Sequence, residues 1–139
     1  PARPEFHYSI SHSGEWVVCA VGAVPLGVDI QVEQPVRPVV FRALSPVEQR
    51  ELDGLEEQER FPAFFDVWCL KEAYSKAIGL GLKSRFRDFS VSKKAEISVP
   101  CFSVALPRFG DCRYHLGICA QAVPMPRLQL QVVEKRELL

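Results

Sequence analysis

The stretch Phe61-Pro62-Ala63-Phe64-Phe65-Asp66-Val67-Trp68-Cys69-Leu70-Lys71-Glu72-Ala73-Tyr74-Ser75-Lys76-Ala77-Ile78 decides the fold. It is the longest helix-compatible run in the chain, and Gly79-Leu80-Gly81 stops it where glycine suits a helix C-cap. At about 100° per residue its apolar side chains fall on two faces. Phe61, Phe65 and Trp68 share one direction, while Val67, Leu70, Tyr74 and Ile78 cluster on another. A helix that is apolar on two sides is expected to sit centrally, between layers. Phe61, Phe64, Phe65 and Trp68 are therefore expected in the core. Glu72 continues the first stripe and Lys76 lies one turn further on. Because burying an unpaired charge is costly, Glu72 calls for a partner.

Working towards the N-terminus, Asp53 to Glu59 reads as a solvated acidic loop, and Ser45-Pro46-Val47-Glu48 as the start of a short helix to about Leu52. Serine there is an N-cap, with proline at the first helical position and an acidic residue in the first turn. Pro35 and Pro38 end the preceding segment, Leu26-Gly27-Val28-Asp29-Ile30-Gln31-Val32-Glu33. Val28, Ile30 and Val32 alternate there with Gly27, Asp29, Gln31 and Glu33, the period of a strand, which sets Asp29 and Gln31 on one polar face. Phe6 to Ile10 and Trp16 to Val21, joined by Ser11 to Gly14, predict a hairpin whose second strand is buried on both faces. Beyond the helix, short strands are expected over Phe89–Val91, Glu96–Val99, Cys101–Leu106, Cys112–Ala120 and Leu128–Val133, separated by prolines and Gly110. The fold class that follows is α+β, an antiparallel sheet packed on a long central helix. No internal repeat, low-complexity tract or coiled-coil heptad is evident.

A length of 139 residues corresponds to one domain, and 47% hydrophobic with 24% charged residues is the balance of a globular chain that can bury a core. Lys+Arg and Asp+Glu both number 17, so no basic excess predicts nucleic-acid binding. The longest apolar run, Trp16 to Val21, is too short to cross a bilayer, so no membrane partner is expected. Five cysteines without a CxxC pair read as reduced, mostly buried thiols of a cytoplasmic protein. The chain begins with Pro1 rather than Met, as expected of a fragment, a processed chain or an excised domain.

Asp29 on its strand and Glu72 on the helix converge if the helix packs across the sheet face that carries Asp29. Two carboxylates sharing a site repel unless a cation lies between them, and oxygen ligands select a hard ion such as Mg²⁺. Lys71 and Lys76 flank Glu72 with ammonium groups suited to phosphate, and His12 between two serines is a further donor. Spacing alone leaves the ordinary alternatives open: a surface Lys-Glu pair, a solvent-facing histidine in a turn, an exposed polar strand face.

Four segments in order carry a resemblance: Tyr8-Ser9-Ile10-Ser11-His12-Ser13-Gly14, Pro25-Leu26-Gly27-Val28-Asp29-Ile30, Leu44-Ser45-Pro46-Val47-Glu48 and Trp68-Cys69-Leu70-Lys71-Glu72-Ala73-Tyr74-Ser75-Lys76. Together they resemble the 4'-phosphopantetheinyl transferases, of the surfactin-synthetase-activating (Sfp) type. The resemblance implies transfer of the phosphopantetheine arm from coenzyme A to a serine of an acyl or peptidyl carrier protein, releasing 3',5'-ADP. It implies Mg²⁺, with Mn²⁺ as a substitute, held by Asp29 and Glu72, and Glu72 acting on the carrier serine as base, directly or through water. Lys71 and Lys76 would face the coenzyme A phosphates, with Lys76 also catalytic, while Ser11 and His12 would contact the nucleotide half. Phe41, Leu44 and Val47 would offer apolar contact to the carrier.

The chain departs from the family pattern in two places. Gln31 stands where the family commonly has a second carboxylate, so a neutral amide is expected to complete the metal site, with Glu33 a weaker substitute. The Sfp type is built of two similar halves. Residues to about 23 would then be the end of the first half, and about 24–139 the second, within a single domain completed by a second chain or segment. The alternative is a non-catalytic carrier-docking or assembly module without a complete coenzyme A site. A weaker alternative is an unrelated Mg²⁺-dependent phosphate-binding enzyme.

Overall fold

A computed structural model describes residues 5–79, 85–91, 100–104, 106, 108–121, 127 and 129–133. Its elements are β1 (His7–Ser13), β2 (Trp16–Gly22), β3 (Leu26–Val32), α1 (Pro46–Asp53), α2 (Glu57–Ala77), β4 (Cys101–Val104) and β5 (Tyr114–Ala120), with short 3-10 turns at Pro38–Ala43 and Phe86–Asp88. β1 and β2 form an antiparallel hairpin, and β3, β5 and β4 form an antiparallel sheet in that order. The expected α+β architecture, an antiparallel sheet packed on a long helix, is what the chain adopts.

The alternation in β3 separates two layers. Val28 and Ile30 join Tyr114 and Leu116 in a core that the hairpin covers with Trp16, Val18 and Ala20. Gly27, Asp29 and Gln31 face the other way, paired in register with Cys119, Gly117 and His115 of β5, and α2 packs over them. The polar face of β3 is thus an interior seam rather than a solvent face.

Two glycines set the thickness of that seam. A Cβ on Gly27 would stand 1.9 Å from the Ala73 carbonyl oxygen, and one on Gly117 would stand 2.8 Å from the Cys69 backbone. Backbone therefore meets backbone, and the helix face turned to the sheet is the small-residue row Cys69, Ala73, Ala77, all buried. The large side chains of α2 go elsewhere: Phe64 and Phe65 pack with Leu44 and Leu52 beneath α1, joined by Phe41, Val67 and Trp68. The helix ends where expected, with Gly79 at φ 73°, a left-handed conformation that glycine adopts without steric cost.

Several boundaries differ from the sequence reading. α2 begins at Glu57, so the acidic loop is shorter by a turn, and Pro62 is accommodated inside the helix near its start. α1 by contrast starts where expected, after Ser45, whose hydroxyl accepts from the Glu48 N–H while the Glu48 carboxylate accepts from the Ser45 N–H. β1 runs on through Ser11–Ser13 rather than turning there. β2 is not buried on both faces: Val17 and Val21 are exposed, because among the described residues the hairpin is covered on one side only. Phe89–Val91 is not a strand, and Leu128–Val133 forms none over its described residues. The expected strand at Glu96–Val99 lies outside the described residues.

The cysteine expectation is corrected. Cys101 and Cys119 form a disulfide, since the β4–β5 register makes them direct cross-strand partners. Cys69 is a buried thiol, while Cys19 and Cys112 are exposed. No helix among the described residues is long and apolar enough to cross a membrane.

Candidate active site

The seam between β3 and α2 gathers the chemistry. Asp29 is 4% exposed, and its carboxylate is held from three sides. The Ser11 hydroxyl donates to Oδ1 at 2.9 Å, Lys76 Nζ lies 3.2 Å from the same oxygen, and the Gln31 amide donates to Oδ2 at 2.9 Å. Glu72 stands one turn before Lys76 on α2, close enough for Asp29 to act on it electrostatically. Burial raises the Glu72 pKa, the Asp29 charge raises it further, and Lys76 opposes both. Half-buried Glu72 thus has Asp29 and Lys76 within electrostatic reach, and Lys76 is the oppositely charged partner that its place on the aromatic stripe calls for.

Lys76 Nζ also donates to the Val28 carbonyl at 2.8 Å and reaches the Ile10 carbonyl at 3.4 Å. It thereby joins α2, β3 and β1 at one point. Cys69 sits under the same carboxylates; its pKa is raised by burial first and then by Asp29, Asp66 and Glu72, so it is a neutral thiol, donating to the His115 carbonyl at 3.4 Å.

Not every expected site residue enters this cluster. Lys71 has no exposed surface: its ammonium lies 2.8 Å from Glu48, donates to the Phe86 and Phe89 carbonyls and sits 4.2 Å above the Phe89 ring. Burial lowers its pKa, with the Glu48 hydrogen bond and charge opposing the shift. On α2 it is adjacent to Glu72 in sequence, and adjacent helical positions point about 100° apart. His12 is exposed on the face of β1 opposite Ser11. Leu44 is fully buried in the α1–α2 core, Phe41 is half-buried there, and Val47 remains exposed.

Sequence reasoning missed a second ionic cluster. His115 Nδ1 lies 2.7 Å from Asp66 and Nε2 2.8 Å from Glu33, so both ring nitrogens face carboxylates. Burial alone would lower the His115 pKa, but the two carboxylates outweigh it and the net shift is upward. No motif announces this contact, which joins residues 82 positions apart. The sequence marks Glu48 only as a first-turn residue of α1, whereas its carboxylate also accepts from the Val91 N–H at 2.8 Å and holds the segment after α2.

Residues 25–119 match the 4'-phosphopantetheinyl transferase superfamily. The chain belongs to that superfamily. A 4'-phosphopantetheinyl transferase of Bacillus subtilis is 35% identical over 86% of this chain and 57% of its own length. The 4'-phosphopantetheinyl transferase Sfp of Bacillus subtilis strain 168 is 30% identical over the whole of this chain and 65% of its own length. A third relative, the transferase named gsp of Aneurinibacillus migulanus, is 33% identical over 64% of the chain. The chain thus spans less than two thirds of the length of these relatives. The Sfp-type resemblance read from four motifs agrees with these matches, and the second to fourth motifs lie within the matched region.

The donor set of the seam fits a hard divalent cation. Asp29, Gln31 and Glu72 supply two carboxylates and an amide oxygen, and Mg²⁺ is typically held by one or two carboxylates with waters and substrate phosphates. Among the described residues no group of three or more His, Cys, Asp or Glu side chains is placed to hold a metal ion.

Proposed function

We propose that this superfamily member transfers the 4'-phosphopantetheine arm of coenzyme A to a serine of an apo acyl or peptidyl carrier protein, releasing 3',5'-ADP. The observation that carries the reading is the convergence of Asp29, Glu72 and Lys76 in one buried seam. Asp29, Gln31 and Glu72 would hold Mg²⁺, or Mn²⁺ in its place. The ion would neutralise and orient the coenzyme A pyrophosphate, a charge-stabilising role that dominates phosphoryl-type transfer.

Glu72 is the base. Its raised pKa makes it a better proton acceptor than an ordinary carboxylate, and it takes the proton of the carrier serine directly or through water. The serine oxygen then attacks the phosphorus that bears the arm, and the bond from that phosphorus to 3',5'-ADP breaks. Lys76, the half-exposed cation of the seam, stabilises charge on the phosphates, while His12 on the outer face of β1 contacts the nucleotide half. Val47, exposed on α1, and the half-buried Phe41 are carrier contacts; Leu44 supports them from below. The remaining coenzyme A contacts belong to a second chain or segment completing the two-half arrangement, with residues from about 24 onwards as the second half.

The test is the intact mass of apo carrier proteins incubated with this chain, coenzyme A and Mg²⁺. A gain of one phosphopantetheine arm, lost with Glu72→Gln, is expected. Full turnover by Glu72→Gln overturns the base assignment, and no gain from a folded sample overturns catalysis by this chain alone. Gln31, neutral where a second carboxylate is usual, favours one other reading, a carrier-docking module without catalysis. Carrier binding without any coenzyme A affinity is its signature.

A further inference from the structure

Three serines on one face of β1 make a ladder to β3 that no backbone pairing supplies. Ser9 Oγ accepts from the Val28 N–H at 3.0 Å, Ser11 Oγ from Ile30 at 3.1 Å and Ser13 Oγ from Val32 at 2.9 Å. The alternation of both strands brings each hydroxyl to every second N–H of β3, the groups that an edge strand leaves unpaired. Ser9 and Ser11 are equally buried, each 7% exposed. Of the three, only Ser11 has a bond to Asp29 as well.

That difference is chemical. A hydroxyl has one proton and can accept at its lone pairs. The Ile30 N–H can only donate, so it occupies a lone pair of Ser11 Oγ. The carboxylate oxygen accepts, so the single Ser11 proton goes to Asp29 Oδ1, 2.9 Å away. Both ends of the Ser11 hydroxyl are thereby committed to β3. With Ser11 and Lys76 on Oδ1 and Gln31 on Oδ2, neither oxygen of Asp29 can turn without breaking a bond.

We propose that Ser11 is a positioning residue that orients the Asp29 carboxylate in the seam, rather than a contact to coenzyme A. The inference rests on the reading of Asp29 as a cation ligand. Hydrogen-bond partners of metal ligands typically set affinity by ten- to a hundredfold. Ser9→Ala serves as the matched control, since it removes an equally buried ladder bond without touching Asp29.

The experiment is Mn²⁺ binding to the full chain, followed by the electron spin resonance of free Mn²⁺, with circular dichroism checking the fold. Ser11→Ala is expected to weaken binding about tenfold or more, Ser9→Ala to leave it within about twofold, and Ser11→Thr, which keeps the hydroxyl, to restore it. If Ser11→Ala does not fold, Ser11→Cys, a weaker donor of similar shape, carries the comparison and is expected to bind less tightly than wild type. Wild-type affinity in the folded Ser11 variant overturns the inference while leaving the metal reading intact. Equal loss in Ser9→Ala and Ser11→Ala overturns it as well, because the ladder alone would then account for the effect. No Mn²⁺ binding by the wild type overturns both readings. Coenzyme A binding measured in EDTA separates the rival role: a loss confined to Ser11→Ala, with Mn²⁺ affinity unchanged, makes Ser11 a coenzyme A contact.

Discussion

Lys71 and Lys76 differ by five positions on one helix and have opposite environments. Lys76 lies at the open side of the seam, its charge shared between Asp29 and two carbonyls. Lys71 and Glu48 are both fully buried and answer each other. Removing one partner of such a pair leaves a buried charge uncompensated, which typically costs about 3–5 kcal/mol, whereas replacing both is far milder. Lys71→Met is therefore expected to lower stability by about that amount in urea unfolding, and Lys71→Met with Glu48→Gln to recover much of it. Equal stability of the single variant and wild type would show that the pair does not hold the Phe86–Val91 segment. The sequence showed that Glu72 needs a partner, but it gave Lys71 and Lys76 the same phosphate-facing role. Which lysine faces the seam depends on which side of α2 the sheet covers.

At the scale of the elements, the active seam is as wide as Gly27 and Gly117 allow. The aromatic stripes mark α2 as central, and the structure packs it between the sheet and α1. The face that meets the sheet, however, is the row Cys69, Ala73 and Ala77, which hydrophobic periodicity ranks below the aromatics. Small residues were legible in the sequence, but their role appears only when the opposing strand is seen to present glycine. Gly27→Ala places a methyl against the Ala73 carbonyl, backbone that cannot swing aside. Overpacking of this kind costs about 1–3 kcal/mol or more. A destabilisation of that size in chemical unfolding is expected, together with weaker Mn²⁺ binding as α2 moves off β3. Wild-type stability in Gly27→Ala would mean that the helix is not seated on the strand so closely.

Over the whole molecule, His115 ties β5, α2 and the end of β3 through Asp66 and Glu33. Its folded pKa lies above the ordinary 6.5, so its proton-linked stabilisation is fully present below about pH 6.5 and is lost as pH rises through the raised folded value. The stability advantage of wild type over His115→Gln is expected to shrink across that window in urea titrations at several pH values. An advantage independent of pH would show that the imidazole is not held protonated. The sequence by itself determined the N-terminal hairpin, β3 with its alternation, the capped start of α1, the central helix α2 and the family to which the chain belongs. These rest on local chemistry: side-chain period, capping groups, proline and glycine stops. Tertiary structure alone decided that the polar face of β3 is an interior seam, that Lys71 is buried while Lys76 is not, that Cys101 meets Cys119, and that Ser11 rather than Ser9 reaches the carboxylate. Each of these depends on strand register and on the side from which helix and hairpin approach, which are set by packing between residues distant in sequence.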